Sequence, residues 1–400
     1  MEPNLKFDPE FLLAEATRQA EGLNDFGDPS FRKALEVLCR SLETEAKLSE
    51  LGRQLLYGKF VELLVNRLRI EDYFKRYPEI EQEVIAAPLV IVGLPRTGTT
   101  LLQRVMACDP QLYSMAWWET RYPVPFPGES LQSPAQRIER ARGEVKVMVE
   151  AMPKLLSIHP MDADQADEEL MLMEHSFMAA FNAYANVPSY MNWLYSVSEK
   201  PAYDYLKRAM KFLQWQKRQR GISAQRWVLK APHHLLRMKL LLDEFPGARI
   251  VQTHRDPVDT IPSIASFIDT LWHIYSSDVD PAAAGQEWNA LMARAFKATM
   301  VERDRQPGIF FDVRFEDTVK RPLDVVRDIY AWAGLELSPA GEQAMQRWLE
   351  DNRRGARGAH DYASEHFGLS TEQIERDFAE YRARHVESSS SPLPLGEGRG

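Results

Sequence analysis

Residues 87–108 read APLVIVGLPRTGTTLLQRVMAC, and this stretch decides the fold. An apolar run from Ala87 to Gly93 stops at Pro95-Arg96-Thr97-Gly98-Thr99-Thr100, and a helical pattern starts at once. The order is strand, phosphate-cradling turn, helix. Gly93 and Gly98 fit the P-loop pattern G-x-x-x-x-G-K-[ST], but Thr99 stands where the lysine belongs. A nucleoside triphosphatase needs that lysine on its β- and γ-phosphates. Here the cation is Arg96, inside the turn, which points to a phosphate-bearing donor other than ATP.

The chemistry of the turn follows from its residues. Backbone N–H groups opening a helix converge on the turn, and the helix dipole favours an anion there. Gly98 lets the backbone approach that anion closely. Thr97, Thr99 and Thr100 add hydroxyls, and Arg96 adds a rigid, permanently charged fork.

Downstream, strand and helix patterns alternate. Arg226–Lys230, Ala248–His254 and Ile309–Val313 read as strands; His233–Phe245, the segment after Asp256-Pro257, and Leu323–Trp332 read as helices. Such alternation implies an α/β fold, a P-loop-like parallel sheet flanked by helices. Ligands in such sheets bind beyond the carboxyl ends of the strands. At one such end lies Thr253-His254-Arg255-Asp256-Pro257, with Ser263 eight positions after Arg255. Arg255 and Ser263 form a plausible clamp for a second phosphate; pairing of Arg255 with Asp256 or Asp259 is the alternative.

The flanking regions complete the organisation. Residues 1–80 read as a helical N-terminal extension, with a helix start at Asp28-Pro29 and an apolar stripe at Leu35, Leu38, Leu42, Leu55, Phe60, Leu63, Leu64 and Leu68. That stripe favours packing on the body over a dimer surface. A main domain at 85–370 holds a helical insert at about 120–225, rich in Met171, Met173, Phe177, Phe181, Tyr184, Tyr190, Trp193 and Tyr195. These residues read first as the core of an inserted subdomain and second as the wall of an apolar acceptor pocket. The Ser/Pro/Gly-rich stretch 388–400 reads as a disordered tail.

Composition narrows the class. Hydrophobic residues make up 44% and charged residues 27%, with a net charge of −9, which opposes general nucleic-acid binding. The two cysteines, Cys39 and Cys108, are too few for a disulfide framework or a cysteine zinc site. No apolar run reaches membrane-span length, and the N-terminus has no signal-peptide pattern, so a cytoplasmic protein is expected.

Pro-Arg-Thr-Gly-Thr-Thr after a strand, with Arg255 and Ser263 downstream, resembles the sulfotransferase family, which uses 3′-phosphoadenosine 5′-phosphosulfate (PAPS). The likeness spans about residues 85–370 and is nearest to the bacterial and Golgi-type branches with PR[ST]GTT. It implies that Arg96, Thr97, Gly98, Thr99 and Thr100 hold the 5′-phosphosulfate and that Arg255 and Ser263 hold the 3′-phosphate. It implies no metal requirement, since PAPS has no γ-phosphate. Glu119, in Trp117-Trp118-Glu119-Thr120-Arg121, is similar in placement to the general-base glutamate of tyrosylprotein sulfotransferases. Flanked by Trp118, it is expected to be desolvated and thereby more basic. Lys230 resembles the lysine that neutralises charge on the departing oxygen, a task shared with Arg96. His233 is the reserve base.

Weaker elements stay open. The acidic run Asp162, Asp164, Asp167, Glu168, Glu169 reads as a solvated helix start rather than a metal or acceptor site. Arg353–Gly358 would close over the 3′-phosphate, and His360-Asp361-Tyr362 has no derivable role. The expected partner is a small-molecule hydroxyl acceptor, apolar or aromatic, with no nucleic acid and no membrane span; a homodimer is left open. The rival readings are a P-loop small-molecule kinase and a nucleotide-binding module without activity.

Overall fold

The structure, a computed structural model, describes residues 5–151, 161–352 and 364–387. The tail at 388–400 and the motifs at 353–358 and 360–362 lie outside these residues. Three helices open the chain: α1 (Pro9–Gln19), α2 (Phe31–Thr44) and α3 (Glu50–Arg76). Asp8 caps α1 by accepting the N–H groups of Glu10 and Phe11, and Ser49 caps α3 by accepting that of Gly52. Helix α2 starts at Phe31 rather than at Asp28-Pro29, because the Asp28 carboxylate turns the chain first by accepting the Ser30 N–H. The expected apolar stripe is buried except at Leu55, which is 45% exposed.

The main body follows. Strand β1 (Leu89–Val92) leads into α4 (Thr99–Met106), β2 (Leu112–Tyr113), α5 (Trp117–Arg121), α6 (Ala135–Ala151), α7 (Leu170–Met173), α8 (Pro188–Ser196) and α9 (Lys200–Gln219). Next come β3 (Arg226–Lys230), α10 (His233–Leu236), α11 (Met238–Glu244), β4 (Arg249–His254), α12 (Pro257–Tyr275), α13 (Pro281–Arg305) and β5 (Phe310–Arg314). The chain closes with α14 (Phe315–Lys320), α15 (Pro322–Ala333), α16 (Pro339–Asp351), α17 (Thr371–Asp377) and α18 (Ala379–Arg382). The helix expected over 233–245 is two pieces, broken at Arg237.

Among the described residues the five strands are parallel, in the order β2-β3-β1-β4-β5. Successive residues of a strand face opposite sides. Leu89 and Ile91 therefore enter one core with Leu102 and Val326, while Val90 and Val92 enter the other with the N-terminal helices. The chain leaves β1 toward β2 and leaves β4 toward β5, in opposite directions. The crevice between β1 and β4 is thus the topological switch point, where ligands of open parallel sheets bind.

The described residues of 120–225 hold no strand. They do not form a separate core. Phe177, Phe181 and Tyr190 are buried in the same cluster as Leu35, Phe60 and Leu64 of the N-terminal helices. Edge-to-face rings join Phe60 to Phe177 and Phe181, at 5.3 and 5.5 Å between centroids.

Candidate functional site

The turn after β1 is shaped by close packing against β4. A Cβ on Gly93 would lie 2.1 Å from Thr253 Oγ1, so no side chain fits there. Gly98 caps α4 in left-handed backbone, φ +87°. Arg96 also has positive φ, +75°, a conformation that side chains other than glycine rarely adopt and that clusters at ligand-binding turns. Thr97 departs from its expected use. Its buried hydroxyl donates to the Leu94 carbonyl at 2.6 Å and lies 2.6 Å from the Thr253 hydroxyl. That hydroxyl braces the loop from inside. What the turn offers an anion is the backbone opening α4, with Thr99 and Thr100 at its first positions.

Loop two meets this turn. Arg255 follows β4, and its Nη1 donates to the Arg96 carbonyl at 3.2 Å. The guanidinium also lies 4.4 Å from the Phe315 ring centroid and pairs loosely with Asp259 at 3.5 Å. Asp256 does not pair with Arg255. It caps α12 through the Val258 N–H and is held by Arg382 at 3.1 Å. Ser263, buried on α12, lies one helical turn beyond Asp259 on the same face.

Lys230 ends β3, next to β1. It is 1% exposed, and its Nζ donates to Glu168 Oε1 at 2.6 Å. Its own N–H donates to Glu169 Oε2 at 2.9 Å, and Glu169 Oε1 lies 2.7 Å from His234 Nε2. The preceding residues pack on α4, because Gln103 Nε2 donates to the Asp167 carbonyl at 2.9 Å. The acidic run is therefore not a solvated helix start: Glu169 is buried, and Glu168 faces Lys230 at the end of β3, next to β1. His233 Nε2 lies 2.8 Å from the buried carboxylate of Glu199, which also binds Arg237. Burial alone would raise the Glu199 pKa, but His233 and Arg237 outweigh it and hold it below the usual carboxylate value.

Glu119 requires a correction. It is buried, and both carboxylate oxygens are engaged: Lys217 Nζ at 2.7 and 2.6 Å, Arg220 Nη2 at 2.8 Å and the Ala116 N–H at 3.0 Å. Burial pushes its pKa up, yet the two cations and the backbone donor pull it below the usual value. The expected gain in basicity from Trp118 is reversed. Arg121 does not pair with it but binds Glu62 and Glu144. Burial also draws the Lys217 ammonium below the ordinary lysine value, despite the carboxylate beside it. This buried cluster locks α5 onto the end of α9.

Comparison with known proteins follows this geometry. A sequence model of the sulfotransferase family matches residues 88–339, from β1 to the start of α16. The chain belongs to the sulfotransferase family. It is 24% identical over 330 residues, 79% of each chain, to the omega-hydroxy-beta-dihydromenaquinone-9 sulfotransferase Stf3 of Mycobacterium tuberculosis. A 76-residue stretch, 18% of this chain and 15% of the other, is 36% identical to carbohydrate sulfotransferase 3 of Mus musculus. The fold matches sulfotransferase STF9 of Mycobacterium avium with TM-score 0.85 at 24% identity, over 96% of this chain and 98% of the other. It matches sulfotransferase STF1 of Mycobacterium tuberculosis H37Rv with TM-score 0.80 at 29% identity, over 93% and 98%.

In this sulfotransferase the C-terminal segment braces the second loop, a role that no sequence motif announces. Tyr381 OH lies 2.9 Å from His254 Nδ1, His385 stacks on the His254 ring at 4.4 Å, and Arg382 clasps Asp256. His254, Asp312 and His385 offer metal-ligand atoms within 4.8 Å of one another. Both His254 nitrogens are already engaged, Nε2 with Asp312 at 2.7 Å, and Asp312 also takes Arg303 at 2.8 Å. This trio therefore reads as a hydrogen-bonded brace. Among the described residues no helix is long and apolar enough to cross a membrane.

Proposed function

We propose that the crevice between β1 and β4 holds PAPS and that this sulfotransferase moves its sulfuryl group to the hydroxyl of a small molecule. The observation that carries the reading is the bond from Arg255 to the Arg96 carbonyl, which joins the two arginine-bearing turns at the switch point. The residues fit such a ligand: Gly93 and Gly98 keep side chains out of the turn, and α4 opens toward it. Arg96 and the backbone of Thr97, Gly98, Thr99 and Thr100 would hold the 5′-phosphosulfate; Arg255 and Ser263 would hold the 3′-phosphate. PAPS, once bound, supplies an activated sulfur.

The chain's own groups then divide the work. A carboxylate takes the acceptor's proton as its oxygen bonds to sulfur and the bond from sulfur to the phosphate oxygen breaks. Glu168 suits that role better than Glu119, because it is partly accessible and sits beside Lys230. Lys230 and Arg96 stabilise charge on the departing phosphate. His233, oriented by Glu199, is the second candidate base. Stf3's named acceptor is an omega-hydroxy compound, in keeping with an alcohol here. Both cysteines are free thiols, in keeping with a reducing, cytoplasmic setting.

Calorimetry with PAP, ADP and ATP tests the reading, together with transfer of labelled sulfate from PAPS. PAP binding and sulfate transfer in the presence of EDTA are expected. Magnesium-dependent ATP turnover without PAP binding would favour the kinase alternative, and PAP binding without transfer would favour the inactive module.

A further inference from the structure

A groove of about 1480 Å³ runs between α3 and α6, closed on one side by α12. Sites for drug-sized ligands are typically about 300–1,000 Å³. One of its walls continues from a residue proposed to hold the donor and another from the proposed base. Phe267 lies one helical turn beyond Ser263 on α12, and Leu271 and Tyr275 continue along that face. Met171, three residues beyond Glu168, lines the groove and packs against the cluster that holds Trp117. The groove is also lined by apolar side chains open to solvent, Leu55 (45% exposed) and Val147 (64% exposed).

Two glycines line this groove from inside helices, Gly58 on α3 and Gly143 on α6. A Cβ at either position would meet nothing within 4 Å. Neither glycine has positive φ. Packing and backbone conformation therefore do not demand glycine, although each costs helix stability relative to alanine. What they provide is width. Arg121 braces the walls by binding Glu62 of α3 and Glu144 of α6.

We propose that this groove is the acceptor site and that the acceptor is an amphiphilic alcohol or phenol with an extended apolar chain. Its hydroxyl enters past Met171 toward Glu168 and Lys230, and its chain lies between Gly58 and Gly143. The proposal rests on the sulfuryl-transfer reading.

The test uses 4-alkylphenols with chains of one to nine carbons, kept below their aggregation limit, with PAPS as donor. The expected result is a rise in kcat/KM of about three- to fourfold per methylene over the first several carbons. Gly58→Leu and Gly143→Leu should flatten that rise at least tenfold for the longest phenol while leaving PAP affinity unchanged by calorimetry. Gly143→Ala should keep the rise and unfold at a higher temperature, which separates groove filling from misfolding. A chain-length profile that is flat in the wild type, or unchanged in both leucine variants, would overturn the groove assignment and leave sulfuryl transfer standing. Loss of PAP binding in the wild type would instead overturn the reading beneath it.

Discussion

The Arg255 guanidinium donates to the backbone carbonyl of Arg96 at 3.2 Å. One arginine thereby positions the loop that carries the other, and both loops leave neighbouring strands at the switch point. Under the proposed function the bond that sets this loop geometry also positions a ligand-binding arginine, so ligand affinity and loop geometry are coupled.

Arg255→Ala should therefore weaken PAP binding more than the loss of one exposed charge would. A hydrogen bond involving a charged group contributes about 1.5–3 kcal/mol, and the substitution removes the contact to Arg96 together with the one proposed to the ligand. The expected loss in affinity is at least about a hundredfold, read by calorimetry. Arg255→Lys should recover only part of it, because a lysine has no planar fork to hold both partners. Wild-type affinity in Arg255→Ala would contradict the assignment of PAPS to the crevice between β1 and β4.

Gly93 offers a test of the cradle that is independent of charge. A methyl group there meets Thr253 Oγ1 at 2.1 Å, Thr97 Oγ1 at 2.8 Å and the Thr253 carbonyl at 3.0 Å. Gly93→Ala must push β1 away from β4 or break the bond between Thr97 and Thr253. Overpacking of this kind costs about 1–3 kcal/mol. The urea midpoint should fall, and PAP affinity should fall with it, because the same shift moves the turn. A stable variant with full affinity would show that the turn is looser than described.

How much of this was legible in the chain follows from sequence separation. The turn after β1 and the loop after β4 are each contiguous, so glycine spacing, strand ends and arginine placement announced them, and the alternation of elements announced the parallel sheet. Strand β2 escaped because Leu112 and Tyr113 are too few to show a period. The meaning of Glu119 escaped because its partner Lys217 lies 98 residues away, in another helix. Glu168 escaped in the same way, 62 residues from Lys230. An acidic run gives no sign of which member will turn inward when the cation arrives from another strand.

The two glutamates can be separated by experiment. Glu119→Ala leaves Lys217 and Arg220 buried without their counter-charge, which costs about 3–5 kcal/mol of stability. Stability of the wild type should also respond to acid. The Glu119 pKa is lowered on folding, so its contribution is complete above the unfolded carboxylate value and is lost as pH falls through the folded one. Glu168→Gln keeps an acceptor for the buried Lys230 ammonium but removes its counter-charge, so the urea midpoint should fall, by less than in Glu119→Ala, and kcat should fall by about 10²–10⁴-fold. PAP affinity should hold or rise in that variant, because Lys230 loses a competing anion. Full kcat in Glu168→Gln combined with a large loss in His233→Asn would assign the proton transfer to the His233–Glu199 pair instead.

Glu287 on α13 carries a prediction of opposite sign. Burial pushes its carboxyl up to about 7, and the bond from Asn182 Nδ2 at 2.7 Å offsets only part of that rise. A folded pKa above the unfolded one means that the contribution to stability is complete below about 4.5 and is lost as pH rises toward about 7. At pH 8 the folded protein must hold this half-buried carboxylate ionised, with Asn182 donating to it. Glu287→Gln removes that charge and keeps an oxygen to accept from Asn182. The variant should match the wild type in urea at pH 4.5 and exceed it by about 2–3 kcal/mol at pH 8. Equal stability of the two proteins across that range would mean that Glu287 reaches solvent or a cation when ionised.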